Sequence, residues 1–389
     1  MAQESIKPQG PCAGVRVLDL SRFVAGPYAG QVLADLGAEV IKVEPPAGEM
    51  MRHGAIAHKG LAAGFEVNNR GKKSIVVDLR KPHGRDVMRK LADVSDVIIE
   101  NFRPGVMEEA GLGYEDLRKT NPRLIYLKVT GFGDEGPYVN RPAFDQVIQA
   151  MAGLMPVQGD KGPPMAIFNY VVDKITATWG ANAILGALYY RERTGEGQRI
   201  ATNLLSAYSA FVMQESLVDY VFADAPKPPP GPPISDSFVP HKTKDGYVLG
   251  LVLLDAQFKG FCEALERPDL LVDPRFDTAN KRSLAGRQLV EAVADTMARF
   301  TSEEFVERAA RFDVPFAKVN DVEGFLNNPQ VRAAQCVVEF DDPEFGHIVQ
   351  LNHPVRYEKS PADAAKRAPK MGEHSAEIAA LLGLQSLEG

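Results

Sequence analysis

The first half of the chain alternates apolar segments with amphipathic ones, and this alternation restricts the fold more than any other feature. Apolar segments typical of buried strands lie at residues 15–20, 39–44, 74–78, 96–100 and 124–129. Helical patterns lie between them at residues 28–36, 84–92 and 114–120. The first helix is expected to begin after the break at Gly26 and Pro27 and to end at Gly37. Strands that alternate with helices favour parallel pairing, so the sequence predicts a doubly wound α/β sheet.

Open α/β sheets bind ligands beyond the carboxyl ends of their strands. That rule predicts a site made from three loops, at residues 21–27, 101–105 and 130–133. The first loop contains Gly26 and is followed by Gly30, but the Gly-x-Gly-x-x-Gly pattern that receives a dinucleotide pyrophosphate is missing. A nicotinamide-dependent dehydrogenase is therefore disfavoured.

A proline-rich stretch divides the chain, which at 389 residues is long for one core. Residues 226–233 hold six prolines, a composition typical of an extended connector. The expected division is a large α/β domain at residues 1–222 completed by residues 330–389, a linker at residues 223–240, and a small α+β domain with a return linker at residues 241–329. A strand or a helix is expected to start at Arg199, and residues 200–222 are predicted to be helical. Ser302 is expected to cap a helix at residues 303–311.

Composition argues against several classes of protein. A net charge of −7 disfavours a nucleic-acid-binding surface. Cys12, Cys262 and Cys336 are too far apart for a metal or redox motif, which favours a reducing cytoplasm. The histidines show no zinc spacing, so no metal is expected. No apolar run reaches the roughly 18 residues of a membrane span, and the N-terminus lacks the apolar core of a signal peptide, so no membrane association is expected.

One acidic residue precedes the longest apolar helical pattern. Residues 174–190 are small and apolar on nearly all sides, which is typical of a helix packed on several sides. Asp173, directly before them, either caps this helix or performs chemistry. No Gly-x-Ser-x-Gly elbow is present, so a carboxylate remains the candidate nucleophile. The two roles are compatible, because a helix N-terminus lowers the pKa of an acid and would keep Asp173 ionised.

A basic cluster at residues 70–73 precedes the third predicted strand. A solvated strand entry is one interpretation, since most charge runs are exposed. A phosphate-binding site is the other.

Several short stretches, distributed in order along nearly the whole chain, resemble the class III CoA-transferases of the formyl-CoA and carnitine CoA-transferase type. They lie at residues 14–19, 25–27, 36–44, 71–75, 100–105, 121–125, 193–198 and 372–374. The resemblance implies a nucleotide-fold large domain, a smaller domain and a homodimer of two interlaced rings. It implies that coenzyme A passes from an acyl-CoA thioester to a carboxylic acid. It also implies that Asp173 is the nucleophile, through aspartyl anhydride and aspartyl-CoA thioester intermediates.

The resemblance also implies which residues contact coenzyme A: Val24, Ala25, Asp78, Leu79, Arg80, Asn101, Phe102, Arg103, Ala143 and Phe144. Arg80 and Arg103 would suit the nucleotide phosphates, and the backbone around Val24 would lie near the thioester. Val24 stands where formyl-CoA transferases often have glutamine, which disfavours formyl or oxalyl substrates. Residues 228–233 stand in place of their glycine-rich lid, and Pro45 replaces an arginine of the adenosine site.

Two alternative functions stay open. The related 2-methylacyl-CoA racemases use a histidine with an aspartate, but the histidine position is Phe144, which removes one partner of a two-base proton exchange. The second alternative is a CoA-binding protein without catalysis. Succinyl-type acyl donors are one expectation, because Arg22, Arg52 or Arg141 could hold the distal carboxylate of a dicarboxylic acid.

Overall fold

A computed structural model describes residues 10–159, 162–224, 226 and 238–387 of the chain. These residues form two compact units. The large unit lies within Met1–Ala152, Ile167–Gln214 and Pro329–Gly389, and the small unit within Gly153–Ala166 and Glu215–Asn328. The linker expected at residues 223–240 and the lid replacement at residues 228–233 lie largely or wholly outside the described residues, so the domain boundaries stay a prediction.

The strands are short. In chain order they are β1 Arg16–Asp19, β2 Glu39–Glu44, β3 Ala57–His58, β4 Leu61–Ala62, β5 Lys73–Val76, β6 Val97–Glu100, β7 Ile125–Thr130, β8 Arg199–Asn203, β9 His241–Lys242, β10 Tyr247–Gly250, β11 Phe316–Lys318, β12 Val337–Asp342 and β13 Gly346–Leu351.

The helices range from single turns to one long helix, α8. In chain order they are α1 Ala25–Asp35, α2 Ala63–Asn69, α3 Pro82–Asp93, α4 Val106–Glu109, α5 Tyr114–Leu117, α6 Asp145–Met151, α7 Leu154–Gly159, α8 Val171–Thr194, α9 Leu204–Val212, α10 Asp255–Leu265, α11 Ala279–Leu284, α12 Gly286–Met297, α13 Ser302–Arg311, α14 Val322–Asn327, α15 Pro329–Ala333 and α16 Ser375–Leu381. Within the described part of the chain, no helix has the length and apolar content that crossing a bilayer requires.

A six-stranded sheet in the order β5-β2-β1-β6-β7-β8 forms the centre of the large unit. Every neighbouring pair in it is parallel. The parallel α/β sheet that the alternating pattern predicted is therefore confirmed. Because β1 pairs with β2 on one side and with β6 on the other, the winding direction reverses between β1 and β6. Ligands of such sheets bind at this reversal, beyond the carboxyl ends of the strands.

Helices cover both faces of this sheet, as a parallel sheet requires. On one face, side chains of α3, α5 and α16 pack against the strands, with members that include Val87, Leu91, Leu117 and Ile378. On the other face, α1 and α8 pack against the strands and against each other. Burial of each large apolar side chain contributes about 1.5–3 kcal/mol, so these layers hold the strand ends in place.

The first helix begins earlier than its sequence pattern indicates. Helix α1 starts at Ala25 and includes Gly26 and Pro27, which were expected to break it. Proline is tolerated in the first turn of a helix, because the N–H group that it lacks would have no acceptor within the helix there. The end is as expected: Gly37, at φ +93°, adopts the left-handed conformation that follows many helices.

The prediction of a helix at residues 200–222 is correct only for α9, Leu204–Val212, and wrong before and after it. Residues Arg199–Asn203 form β8, which pairs with β7 at the edge of the sheet. Helix α9 follows, and the Asn203 side chain accepts a hydrogen bond from Ser206 N at 2.8 Å to cap it. The sequence left a strand or a helix start open at Arg199, because the pairing with β7 that decides between them is tertiary. The cap of α13 is likewise Thr301 rather than Ser302.

The basic cluster at residues 70–73 is neither solvated nor open to a phosphate. The Arg70 guanidinium donates to both Asp35 oxygens, at 3.0 and 2.6 Å, and both residues are buried. Lys72 is buried and bonded to Asp19, and Lys73 pairs with Glu39. Both interpretations fail, because nearby carboxylates engage each of these cations.

The small unit has its own sheet and core. Its three strands lie in the order β11-β10-β9 and are antiparallel. Phe261 stacks on Phe316 with ring centroids 5.5 Å apart, and Phe305 meets Phe316 edge-on at 5.0 Å. These rings tie α10 and α13 to β11.

Candidate active site

A cavity of about 650 Å³ lies in the large unit, at the carboxyl ends of β1, β6 and β7. It is the place that the winding reversal between β1 and β6 predicts. The residues expected from the sequence that line it are Val24, Ala25, Asn101, Phe102, Arg103, Ala143, Phe144 and Asp173.

A second cavity of about 450 Å³ lies beside the first, since Arg22 and Phe102 line both. It is lined by Pro45 and by the other expected residues, Asp78, Leu79 and Arg80. The Arg22 guanidinium lies 5.0 Å from the centre of the Phe102 ring. Arg80 is 84% exposed and pairs with Asp78 at 2.8 Å. Solvent screens such a pair strongly, so a phosphate could take the place of the Asp78 carboxylate at little cost.

Asp173 is the third residue of α8 and does not cap it. The residue before the helix, Tyr170, also provides no side-chain cap. The Asp173 N–H instead donates to the Asp145 carboxylate, at 3.1 Å. Asp145, on α6, therefore accepts a hydrogen bond from a backbone N–H in the first turn of α8. The interpretation of Asp173 as a cap is wrong.

Asp145 is held in turn by Gln149, one turn further along α6. The Gln149 amide donates to Asp145 Oδ1 at 2.6 Å, and both residues are buried. Gln149 also accepts from Ile167 N at 2.8 Å and donates to Asn169 O at 3.3 Å. This pair thus fastens the segment that leads into α8. Gln149 was not among the residues predicted from the sequence, although an Asp and a Gln four residues apart on a helix are a recognisable pair.

The pKa of Asp173 shifts in the direction opposite to the one that the sequence predicts. Burial, together with the negative charge of Asp145, raises the pKa of Asp173 to about 7. Desolvation and a like charge therefore outweigh the helix N-terminus that was expected to lower this pKa. No residue in the described ranges donates a hydrogen bond to the carboxylate of Asp173, which lines the larger cavity. A weakly solvated carboxylate of this kind is a strong base and nucleophile once ionised.

The loop between β1 and α1 is held in a strained conformation beside Asp173. Phe23 has a φ of +65°, unusual for a residue other than glycine. Its N–H donates to Glu49 at 3.0 Å, and its ring meets Phe144 edge-on at 5.8 Å. The Asn101 amide accepts from Arg22 N and donates to Arg22 O, both at 2.8 Å. Asn101 thus locks this loop in addition to lining the cavity.

A close approach between two backbone segments also fixes the part of the cavity wall that contains Ala143 and Phe144. A Cβ on Gly131, in the loop after β7, would lie 2.2 Å from the Cβ of Ala143. Only glycine therefore lets this loop contact the segment that carries Ala143 and Phe144.

The three arginines considered for a second carboxylate differ in availability. Arg52 is bound through two nitrogens to Glu44, each at 2.6 Å, and is therefore excluded. Arg22 stacks on Phe102. Arg141 lines the larger cavity, stacks on Tyr138 at 3.8 Å, and has no carboxylate partner among the described residues. Those residues also include no group of three or more His, Cys, Asp or Glu side chains that could hold a metal ion.

Comparison with known proteins matches residues 12–375 to the family model described as CoA-transferase family III. The succinyl-CoA–D-citramalate CoA-transferase of Chloroflexus aurantiacus is 35% identical, over 98% of this chain and 96% of the relative. The succinate–glutarate CoA-transferase of Agrobacterium fabrum is 35% identical, over 96% of each chain. A crystal structure of a CaiB/BaiF family protein from Brucella suis is 34% identical, covers 96% of this chain and 100% of that chain, and superposes with a TM-score of 0.85.

The raised pKa of Asp173 predicts a pH-dependent cost in stability. Below the unfolded pKa of about 4 the carboxyl is protonated in both states, and the cost is absent. As the pH rises to the folded pKa of about 7, the unfolded state ionises first and stability is lost. Asp173→Asn removes this cost, so it should gain at least about 2 kcal/mol over wild type at pH 8 relative to pH 4.5. Denaturant unfolding at both pH values measures the difference.

The exposed Asp295→Asn substitution provides a matched control for this measurement. A gain from Asp173→Asn that is the same at both pH values would contradict the raised pKa.

Proposed function

Because the chain belongs to CoA-transferase family III and is an enzyme that moves coenzyme A between an acyl-CoA thioester and a carboxylic acid, we propose that Asp173 is its covalent nucleophile. One observation carries the proposal. Asp173, whose carboxylate receives no hydrogen bond from a described residue, lines the cavity formed by the loops after β1, β6 and β7.

The proposed reaction has four balanced steps. Asp173 attacks the thioester carbonyl, forms an aspartyl–acyl anhydride and releases the thiolate of coenzyme A. The thiolate attacks the aspartyl carbonyl, which frees the first acid as a carboxylate and leaves an aspartyl-CoA thioester. The acceptor carboxylate attacks that thioester, forms a second anhydride and releases the thiolate again. Attack of the thiolate on the new acyl carbonyl gives the product thioester and restores Asp173.

We propose that coenzyme A spans the two neighbouring cavities. The smaller cavity, with Asp78, Leu79 and Arg80, would take the nucleotide, and Arg103 at the entrance to the larger one would face its phosphates. The thioester would then lie between Asp173 and the first turn of α1. That turn begins at Val24 without a side-chain cap, so the N–H groups of Ala25 and Gly26 are available to a developing oxyanion, whereas Pro27 has none.

The racemase alternative finds no support in the cavity. Phe144 lines it and is 57% exposed, at the position where the racemases have histidine. No histidine is among the described residues that line the cavity. A two-base proton exchange at the α-carbon therefore lacks an imidazole partner.

We also propose the homodimer that the family resemblance implies. Large apolar side chains of the large unit are exposed on and beside α8 and α9: Phe168 at 92%, Tyr189 at 66%, Phe211 at 61% and Trp179 at 47%. Such a concentration is more typical of an interface than of free surface. The cytoplasmic location stays a prediction, supported by three free cysteines, two of them buried.

Replacement of Asp173 tests the proposed nucleophile. Asp173→Ala should lower kcat by at least ~1,000-fold, because the covalent route disappears entirely. In the wild type, kcat/KM should rise about tenfold per pH unit below pH ~7 and level off above it, since only ionised Asp173 attacks. Asp145→Asn keeps an acceptor for the Asp173 N–H and removes the like charge, so it should move this rise to lower pH. Full turnover by Asp173→Ala would exclude the residue.

Both relatives described above have names that specify dicarboxylic acids, and we propose that this chain also uses them, with Arg141 at the distal carboxylate. Arg141→Gln should lower kcat/KM for a dicarboxylic acceptor by ~10–100-fold, the worth of a charge-assisted hydrogen bond. The monocarboxylic acid of equal length should change by less than ~3-fold. Steady-state assays with both acids, and exposed Arg118→Gln as control, measure this. Equal losses for both acids would contradict the assignment.

A further inference from the structure

Buried charged side chains lie directly beneath the loop that joins β1 to α1. Asp19 at the end of β1, Lys42 on β2 and Lys72 before β5 all have fully buried side chains. Lys72 Nζ lies 2.7 Å from the Asp19 carboxylate, and Lys42 Nζ lies 3.5 Å from it. None of the three lines either cavity.

These charged groups bind both ends of the loop through its backbone. Lys42 donates to the Ser21 carbonyl, and Asp19 accepts from Ser21 N at 3.0 Å. Lys72 donates to the Pro27 carbonyl at 2.7 Å. Between these anchors lie the strained Phe23 and the cavity-lining Val24 and Ala25.

Lys72 has no capacity left for any other partner. Its ammonium group has three N–H donors, and the acceptors are Asp19, Pro27 O and Asn69 Oδ1, at 2.7, 2.7 and 2.8 Å. Gly30 of α1 leaves room for it, since a Cβ there would lie 3.4 Å from Lys72 Nζ and 3.2 Å from Asp19. Buried ion pairs of this kind seldom stabilise more than apolar packing does, so fold stability alone gives little reason for these lysines.

We propose that Lys42 and Lys72 are positioning residues for group transfer. Held by Asp19, they fix the loop so that the backbone at Val24 and Ala25 meets the reacting thioester in one orientation. They act through the carbonyls of Ser21 and Pro27 and touch neither Asp173 nor coenzyme A. This inference rests on the proposed function, which places the thioester at that loop.

Substitution of Lys72 in the full chain tests the proposal. Lys72→Met should slow acylation of Asp173 by an acyl-CoA ~10–100-fold, the usual effect of misplacing a reacting group by about 1 Å. Affinity for free coenzyme A should stay within ~3-fold, because Pro27, whose carbonyl Lys72 holds, lines neither cavity. Rapid quench with intact-mass detection measures acylation, and calorimetry measures affinity. Arg70→Met is the matched control, since it removes a buried cation paired with Asp35, away from the loop.

Gly30→Ala is a second variant that should still fold, because alanine favours a helix. Its methyl group would lie 3.2 Å from the Asp19 carboxylate that holds Lys72. This substitution should slow acylation by a few-fold and decides the question if Lys72→Met does not fold. Wild-type acylation rates in the folded variants, or an equal loss in Arg70→Met, would overturn the positioning role. If wild-type Asp173 is never acylated, the proposed function itself fails, which is a distinct result.

Discussion

The hydrogen bond from the Asp173 N–H to the buried Asp145 carboxylate determines the arrangement of the candidate site. It satisfies a backbone N–H in the first turn of α8 with a carboxylate from another helix. The Asp173 side chain is therefore not needed as a cap and can line the cavity. The hydrogen bond also brings a second negative charge close to Asp173, which raises the pKa of Asp173 together with burial. One contact therefore positions the proposed nucleophile and raises its pKa. Gln149 makes the contact durable, since it fastens Asp145 and the segment before α8 at once.

The sheet supplies the other half of the site. Reversal of winding between β1 and β6 separates the loops that follow these strands, and the two cavities open there. Asn101 then joins the loops again through paired hydrogen bonds to Arg22. The buried charges beneath the first loop hold the cavity wall at the start of α1. The Asp145–Gln149 pair holds the wall at the start of α8. Both walls consist of helix starts, α1 and α8, which suits a reaction whose intermediates develop negative oxygen atoms.

Local patterns predicted the strands of the large unit well, because alternating strands and helices depend on spacing along the chain. The sequence did not distinguish a strand from a helix start at Arg199–Asn203, because the strand depends on pairing with β7. Family resemblance located the cavity-lining residues, but their contacts depend on partners far apart in sequence. Arg70 and Lys72 looked like a surface charge run, yet each is buried against a carboxylate more than thirty residues away. The sign of the pKa shift at Asp173 was missed for the same reason, because burial is a tertiary property.

Trapping the intermediate with hydroxylamine tests the central claim most directly. The enzyme, incubated with an acyl-CoA and hydroxylamine, is digested and its peptides are examined by mass spectrometry. The account predicts a hydroxamate at Asp173 that requires the acyl-CoA and inactivates the enzyme, since hydroxylamine intercepts an aspartyl anhydride or thioester. An unmodified Asp173 in an enzyme that exchanges the α-proton of its acyl-CoA with heavy water would contradict the account.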